Sequence, residues 1–205
     1  MVHIFKKGTN GNTLVLLHGT GGNEKDLIAV GTLIDPDANL LGIRGNVMEY
    51  GMARFFKRKS IGVFDEESLK EEVDNLKDFL YDHSRIYRFE TNKMIAIGYS
   101  NGANIASAMA FYHGKVFQKM ILFHPMVPTR GVHVPDLRRM DIFIGAGEND
   151  QMMPEHEVHE LKEIFQSANA KVDVFWTEYG HQLSKEELEA AKKWYRGEMD
   201  EVDDF

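Results

Sequence analysis

The chain has 205 residues, of which 43% are hydrophobic and 27% charged, and this composition suits one compact domain and excludes intrinsic disorder over most of its length. It contains no cysteine, which excludes disulfides, a thiol nucleophile and thiolate metal sites. The net charge of −8 argues against a nucleic-acid-binding surface, and five acids crowd the last eight residues: Glu198, Asp200, Glu201, Asp203 and Asp204.

Two features of the sequence argue against membrane insertion and export. The longest purely aliphatic run, residues 14–17, is far shorter than the roughly 20 residues needed to cross a bilayer. Residues 1–7 lack the apolar core of a signal peptide. We therefore expect a cytoplasmic protein with a single domain over residues 1–197 and a solvated acidic tail over 198–205. Assembly into a homodimer is left open.

Short apolar runs alternate with stretches of helical spacing from one end of the chain to the other. The predicted strands are residues 13–17, 39–43, 93–97, 119–123, 141–144 and 172–176. The predicted helices are residues 24–33, 66–83, 101–112, a segment beginning near Pro154, and 185–195. This alternation predicts a single α/β domain with a mainly parallel sheet and helices on both faces. In such sheets ligands bind beyond the carboxyl ends of the strands.

A glycine-rich loop follows the first of these strands, with the sequence His-Gly-Thr-Gly-Gly at residues 18–22. A dinucleotide-binding loop is excluded because Glu24 stands where close packing demands glycine, and no phosphate-binding Gly-Lys-Ser/Thr follows. The remaining interpretation is a loop that donates a backbone N–H to an oxyanion. We expect the two donors to be the N–H groups of Thr20 and Asn101, with His18 bracing the loop.

Residues 98–102 read Gly-Tyr-Ser-Asn-Gly, between a predicted strand and a predicted helix. This is the G-x-S-x-G pattern in the context in which it marks a nucleophilic serine on a tight turn. Glycines two residues to either side avoid collisions with the neighbouring backbone. The helix that begins at Asn101 directs its free N–H groups towards Ser100. Ser100 is therefore the predicted nucleophile.

An acid and a base are expected after the later strands. Asp150 follows the strand at 141–144 and is the predicted acid; Glu148 and Asp141 are alternatives, and so is a structural turn. His181 lies in a loop before the last helix, and the order Ser100, Asp150, His181 is typical of α/β-hydrolases. His124 is the rival base, but it breaks that order.

The irregular stretch over residues 44–64 is the expected wall of a substrate pocket. Its apolar residues Met52, Phe55 and Phe56, together with Met48, are candidates for contact with an acyl chain; the alternative is that they fill the core beneath a loop. A basic run in the same stretch is either an anion site or, by preference, a solvated surface: Arg54, Lys57, Arg58 and Lys59. The segment over residues 126–139 is too short for a cap domain.

A metal-dependent hydrolase is the less favoured interpretation of the sequence. The run over residues 155–160 is rich in Glu and His, but its two histidines lie three apart on a predicted helix and no H-E-x-x-H spacing exists.

With these motifs in view, the sequence resembles an α/β-hydrolase of the phospholipase/carboxylesterase family, which includes the acyl-protein thioesterases, and within it the small bacterial carboxylesterases. The similarity runs through residues 16–22, 98–103, 150–154 and 180–183. The resemblance implies a Ser100–His181–Asp150 triad, oxyanion donors at Thr20 and Asn101, and no cofactor. Departures occur at Asn101, where acyl-protein thioesterases usually carry glutamine, at Ala103, and at residues 124–125.

Together these features predict a serine carboxylesterase that cleaves small to medium esters through an acyl-serine intermediate. Its predicted partner is a small-molecule ester, with no nucleic acid. The alternatives are a thioesterase, a lysophospholipase or a lactone hydrolase using the same triad, and a non-catalytic binder with the same fold.

Overall fold

The computed structural model describes residues 1–60 and 62–198. The predicted acidic tail therefore lies outside the described residues, except for Glu198. Within the described part, the strands in chain order are β1 (His3–Lys6), β2 (Thr13–Leu17), β3 (Asn39–Ile43), β4 (Val47–Glu49), β5 (Met52–Arg54), β6 (Arg58–Ser60), β7 (Val63–Phe64), β8 (Met94–Tyr99), β9 (Lys119–Phe123), β10 (Asp141–Gly147) and β11 (Lys171–Thr177). The helices are α1 (Ile28–Ile34), α2 (Glu66–Tyr87), α3 (Asn101–His113), α4 (Glu155–Ser167) and α5 (Lys185–Arg196), and a short 3-10 turn spans Thr91–Lys93.

Seven of these strands form one sheet in the order β1-β3-β2-β8-β9-β10-β11. Every neighbouring pair is parallel except β1 with β3, which is antiparallel. The predicted mainly parallel sheet is confirmed. Strand β1 was not expected from the sequence, because it is a short edge strand whose four residues are only partly buried or exposed and carry no clear apolar run.

Each face of the sheet carries its own hydrophobic core, because side chains alternate along a buried strand. In β2, Val15 and Leu17 belong to the core that the sheet shares with α2, α3 and α4. Leu14 and Leu16 belong to the opposite core, which the sheet shares with α1 and α5. Helices therefore cover both faces, as predicted, and no helix in the described part of the chain has the length and apolarity to cross a membrane.

Two regions differ in detail from the predictions. Residues 24–27 form turns, and α1 begins only at Ile28. The stretch predicted to be irregular holds two small antiparallel hairpins, β4–β5 and β6–β7, whose strands of two or three residues are too short to show an alternating pattern. Residues 124–140 contain neither helix nor strand, in agreement with the expected lack of a cap domain.

Candidate active site

The turn from β8 into α3 exposes Ser100 at the carboxyl edge of the sheet. Ser100 has φ 52° and ψ −113°, a backbone conformation that L-residues rarely adopt. A Cβ at Gly98 would lie 2.6 Å from the backbone nitrogen of Ala103, and one at Gly102 would overlap the carbonyl oxygen of Leu17. Because neither position can hold a side chain, the two glycines allow the strained turn to form.

Ser100, His181 and Asp150 are linked by hydrogen bonds at this edge. His181 Nε2 lies 2.9 Å from Ser100 Oγ, and His181 Nδ1 lies 2.7 Å from Asp150 Oδ2. The second carboxylate oxygen, Asp150 Oδ1, accepts the backbone N–H groups of Met152 (2.9 Å) and Met153 (3.0 Å). The Asp150 side chain is fully buried, whereas 18% of the His181 side chain is exposed. The structure thus brings the three predicted residues together in one arrangement.

The rival acids do not reach this arrangement. Glu148 is exposed, and Asp141 opens β10 at the opposite edge of the sheet. The loop that carries His181 is held in place by Tyr99, whose hydroxyl donates to the His181 carbonyl at 2.7 Å. The pKa of Tyr99 is raised by burial and by the nearby charges of Asp150 and Glu187, so the hydroxyl keeps its proton as a donor.

The rival base, His124, lies behind Asp150 and is completely buried. Its Nδ1 lies 3.0 Å from Asp150 Oδ2, and its Nε2 lies 3.1 Å from Glu187 Oε1. Burial alone would lower the pKa of His124, but the adjacent carboxylate of Glu187 and the charge of Asp150 outweigh it and raise the pKa above its usual value. Both ring nitrogens of His124 already face carboxylates, so neither is available to take the proton of a serine, and it is His181 that contacts Ser100.

The predicted oxyanion loop runs beside Ser100 and is anchored from β5. Arg54 Nη1 donates to Thr20 Oγ1 at 2.7 Å, and the Gly21 N–H donates to the Ala53 carbonyl at 2.8 Å. A Cβ at Gly19 would lie 2.8 Å from the ring of Tyr99, so only glycine lets the loop approach the residue before Ser100. Thr20 itself is exposed.

Asn101, the other predicted donor, is the first residue of α3 and is 2% exposed. Its side-chain Oδ1 accepts the Phe55 N–H at 2.7 Å, which ties the stretch after β5 to the turn at Ser100. The side-chain Nδ2 is buried and has no hydrogen-bond partner in the described part of the chain. The predicted oxyanion donor is instead the backbone N–H of Asn101, which lies in the first turn of α3, where backbone N–H groups have no intrahelical acceptor and are suited to binding an anion.

The three predicted substrate-binding residues do not share one environment. Met52 is 38% exposed and lies against Gly21, in the predicted oxyanion loop. Phe55 and Phe56 are completely buried in the core that faces α2 and α3. Their assignment to substrate contact is therefore corrected to the alternative, since a side chain without exposed surface fills the core and cannot line an open pocket.

The described cavity at this end of the molecule lies between the two hairpins and not at Ser100. It has a volume of about 850 Å³ and is lined by Val47, Met48, Glu49, Tyr50, Lys57, Arg58, Lys59, Ser60 and Asp65. None of the three linked residues lines it, so the cavity does not define where a substrate reacts.

Three side chains come close enough to share a metal ion: His124, Asp150 and His181. Their facing atoms already satisfy one another by hydrogen bonding, and two of the three side chains are fully buried, so their contacts are accounted for without an ion. In the predicted ligand-rich run on α4, His156 and His159 are exposed, while Glu157 turns inward to accept the Val127 N–H at 3.0 Å.

Sequence reasoning missed two contacts of the site. Arg54 was grouped with a solvated basic run, but it is 3% exposed and supports the loop at Thr20. Glu187 was not singled out; it forms a capping box with Ser184 at the start of α5, and its Oε1 lies 3.1 Å from His124 Nε2. The burial of Arg54 could have been inferred from the sequence, because both of its neighbours in the chain are apolar. No feature of the sequence indicated the contact between Glu187 and His124.

The doubly covered parallel sheet and the serine on its strained strand-to-helix turn define an α/β-hydrolase. The model of the dienelactone hydrolase family matches residues 57–196, more than half of the chain, and the chain belongs to this family.

Similar proteins agree with this assignment. The Bacillus subtilis (strain 168) protein named "Putative hydrolase MhqD" is 49% identical over 196 residues, which are 96% of this chain and 98% of that one. The crystal structure of the Bacillus cereus carboxylesterase matches with a TM-score of 0.94 and 44% identity, over 96% of this chain and 94% of that one. A structure of YahD with malic acid matches with a TM-score of 0.92 and 35% identity, over 97% and 99%. The resemblance to small bacterial carboxylesterases is confirmed, and the protein is a hydrolase of this type.

Proposed function

We propose that the protein is a serine carboxylesterase that cleaves small to medium carboxylic esters through an acyl-serine intermediate. The observation that carries the proposal is the hydrogen-bonded chain from Ser100 Oγ through the His181 ring to Asp150. A hydroxyl within 2.9 Å of an imidazole, which is itself oriented by a buried carboxylate, is the arrangement that activates serine for attack on a carbonyl.

In the first half-reaction, Ser100 Oγ attacks the ester carbonyl and its proton passes to His181 Nε2. The N–H groups of Thr20 and Asn101 stabilise the oxyanion of the tetrahedral intermediate. His181 then gives the proton to the departing alcohol, which leaves the acyl group on Ser100. In the second half-reaction, His181 takes a proton from water, the hydroxide attacks the acyl-serine, and the acid is released as Ser100 regains its proton. Asp150 orients the ring of His181 and stabilises its charged form throughout.

The substrate is proposed to be a compact ester, because no cap covers the carboxyl edge of the sheet in the described part of the chain. Three exposed apolar side chains are suited to contact a short acyl or alcohol group: Met52, which lies against Gly21, and Met152 and Tyr179, which are two residues from Asp150 and His181 in the sequence. Lactone hydrolysis is the second candidate, because the family that matches is named for a dienelactone hydrolase. The cytoplasmic location and the single domain over residues 1–197 stay predictions, and a homodimer stays open.

Labelling by a fluorophosphonate probe tests the nucleophile. We expect the wild-type protein to be labelled and to hydrolyse p-nitrophenyl esters from acetate to octanoate, and we expect Ser100→Ala to lose both properties. Ser167→Ala, which changes an exposed serine at the end of α4, is the matched control and should keep both. Labelling that persists in Ser100→Ala, or a wild-type protein that is neither labelled nor active, would contradict the proposal. Parallel assays with thioesters and lactones of equal acyl length rank the alternative substrates.

A further inference from the structure

A second histidine sits directly behind the proposed catalytic carboxylate. The His124 ring lies between Asp150 and Glu187, and all three side chains are completely buried. Asp150 Oδ2 is shared, because His124 Nδ1 lies 3.0 Å from it and His181 Nδ1 lies 2.7 Å from it. The result is an unbroken row of polar groups from Glu187 on α5 to Ser100 at the start of α3. The proposed mechanism uses only part of this row.

The contacts of His124 indicate how many protons its ring carries. A neutral imidazole carries one N–H, but each of the two ring nitrogens of His124 faces a carboxylate oxygen. A lone pair facing a buried carboxylate would be strongly unfavourable. Neither Glu187 Oε1 nor His124 Nε2 has a hydrogen-bond partner within the described residues, although the two atoms lie 3.1 Å apart, and the Ser184 N–H binds the other oxygen, Oε2. A second proton, held on Nε2, would give both unpartnered atoms an ion-pair contact, and the charge of Asp150 also favours holding it on the ring.

We propose that His124 is a positioning residue of the esterase, a buried imidazolium that holds Asp150 on His181 and opposes a second positive charge on the His181 ring. The inference rests on the proposed function and extends it to a residue that touches no substrate. It also gives a reason for the left-handed backbone at His124, φ 52°, which directs the side chain between the two carboxylates.

The charges around His124 determine the direction of its effect. A negative Asp150 favours a proton on His181, whereas a positive His124, with its ring centre 5.2 Å from that of His181, opposes it. The negative charge of Glu187 acts in the opposite direction to the charge of His124. Because Glu187 lies on the far side of the His124 ring, its effect on His181 is the weaker of the two. Tyr99 faces His124 edge-on at 5.9 Å and stays neutral because its pKa is raised. The net effect of the ion pair is to favour neutral His181.

Glu187→Gln removes this effect with little change in shape. The amide oxygen of the glutamine can still accept the Ser184 N–H and preserve the capping box. The N–H2 group of the same amide then faces His124 Nε2. His124 then becomes neutral and keeps its Nδ1–H on Asp150. We expect the acidic limb of the kcat/KM profile to move to higher pH by about one unit, because a positive charge about 5 Å from His181 is lost. The rate on the neutral plateau should change much less.

His124→Asn is the second variant. Asparagine tolerates the left-handed backbone, and its amide can donate to Asp150 in place of Nδ1–H but carries no charge. The same upward shift of the acidic limb is expected. The matched control is Ser184→Ala, which removes the hydroxyl that accepts the Glu187 N–H at 3.1 Å and weakens the same helix start without touching His124. It should lower the melting temperature and leave the pH profile in place.

A measurement without turnover separates this inference from the esterase proposal. In the wild-type protein, NMR of ¹⁵N-labelled histidines should show both ring nitrogens of His124 protonated at pH 7, and Glu187→Gln should leave only one. A singly protonated His124 in the wild type overturns the inference, as does an active wild-type enzyme whose acidic limb is unmoved in both variants. Absence of Ser100-dependent hydrolysis would overturn the proposed function alone, because the NMR result does not depend on activity.

Discussion

The guanidinium of Arg54 lies 2.7 Å from the hydroxyl oxygen of Thr20 and thereby couples a buried strand of the β4–β5 hairpin to the loop beside Ser100. The same side chain donates to the Phe56 carbonyl at 3.2 Å and lies 3.3 Å from Glu49 Oε2. A single buried cation thus joins the hairpin, the buried phenylalanine that follows it and the proposed oxyanion loop.

Arg54→Met should reduce catalysis through this loop. Without the guanidinium, Thr20 loses its anchor and the Phe56 carbonyl loses its side-chain donor. We expect kcat to fall about 10-fold, equivalent to about 1.4 kcal/mol of transition-state stabilisation, with a smaller change in KM. The free energy of unfolding should fall by about 1–3 kcal/mol. Steady-state kinetics and urea unfolding measure both quantities. Lys57→Met, an exposed neighbour, is the control; if it reduced kcat equally, the anchoring role of Arg54 would be refuted.

Asp150→Asn tests the orientation of His181. The amide has the size of the carboxylate, and its oxygen can still accept the N–H groups of Met152 and Met153. Its N–H2 group then faces His181 Nδ1 and favours the tautomer with the proton on Nε2, which cannot accept the proton of Ser100. We expect kcat to fall by about 10⁴-fold, as in other serine hydrolases with this change.

The folded state must be checked in the same variant. Circular dichroism of Asp150→Asn should show a folded protein with a lowered melting temperature, since the two backbone hydrogen bonds remain but the oxygen shared by His181 and His124 is replaced by an N–H2 group. A fully folded variant with kcat near that of the wild type would remove Asp150 from the catalytic arrangement.

The three linked residues could be predicted from the sequence, because each of them follows a strand that is recognisable from its run of apolar residues. Ser100 carries its own local motif, and the carboxyl ends of parallel strands meet at one edge, which places Asp150 and His181 beside it. The contact between His124 and Glu187 could not be predicted in the same way. It joins the end of β9 to the first turn of α5, and no periodicity relates one side chain to the other.

The sequence also could not show which of residues 52–56 are buried and which are exposed. Strands of three residues give no alternation from which buried and exposed positions could be separated. Apolar residues there are equally compatible with a pocket wall and with a core, and the structure divides them between the two: Met52 at the surface, Phe55 and Phe56 inside.

Met52 and Phe55 should therefore respond differently to truncation. Met52→Ala should raise KM for p-nitrophenyl hexanoate several-fold and leave the melting temperature within error, because a partly exposed side chain beside Gly21 contributes to binding and little to the core. Phe55→Ala should lower the free energy of unfolding by about 3–5 kcal/mol through the cavity it leaves. Kinetics with acetate and hexanoate esters, together with urea unfolding, distinguish the two. If Met52→Ala left KM unchanged for both esters, Met52 would not contact the acyl chain.

His18 should make stability depend on pH on the acidic side. Its Nδ1 donates to the Gly19 carbonyl at 2.6 Å and its Nε2 accepts the Gly45 N–H at 3.0 Å, so only the neutral ring satisfies both contacts. Burial lowers the pKa of His18 from the model-compound value of 6.5. The unfolded chain therefore binds the proton more readily, and the stabilisation is complete above pH 6.5 and is lost as the pH falls from there through the lower pKa of the folded state.

Urea unfolding between pH 7.5 and 5 measures this dependence. In that range the free energy of unfolding should fall with a slope of at most about 1.4 kcal/mol per pH unit from this group. His18→Asn should flatten the curve below pH 6.5, whereas His133→Asn, which changes an exposed histidine, should not. His124 does not mask the effect, because its raised pKa places its own contribution above pH 6.5, where stability is lost as the pH rises. An identical slope in wild type and His18→Asn would show that the loop beside Thr20 does not depend on a neutral His18.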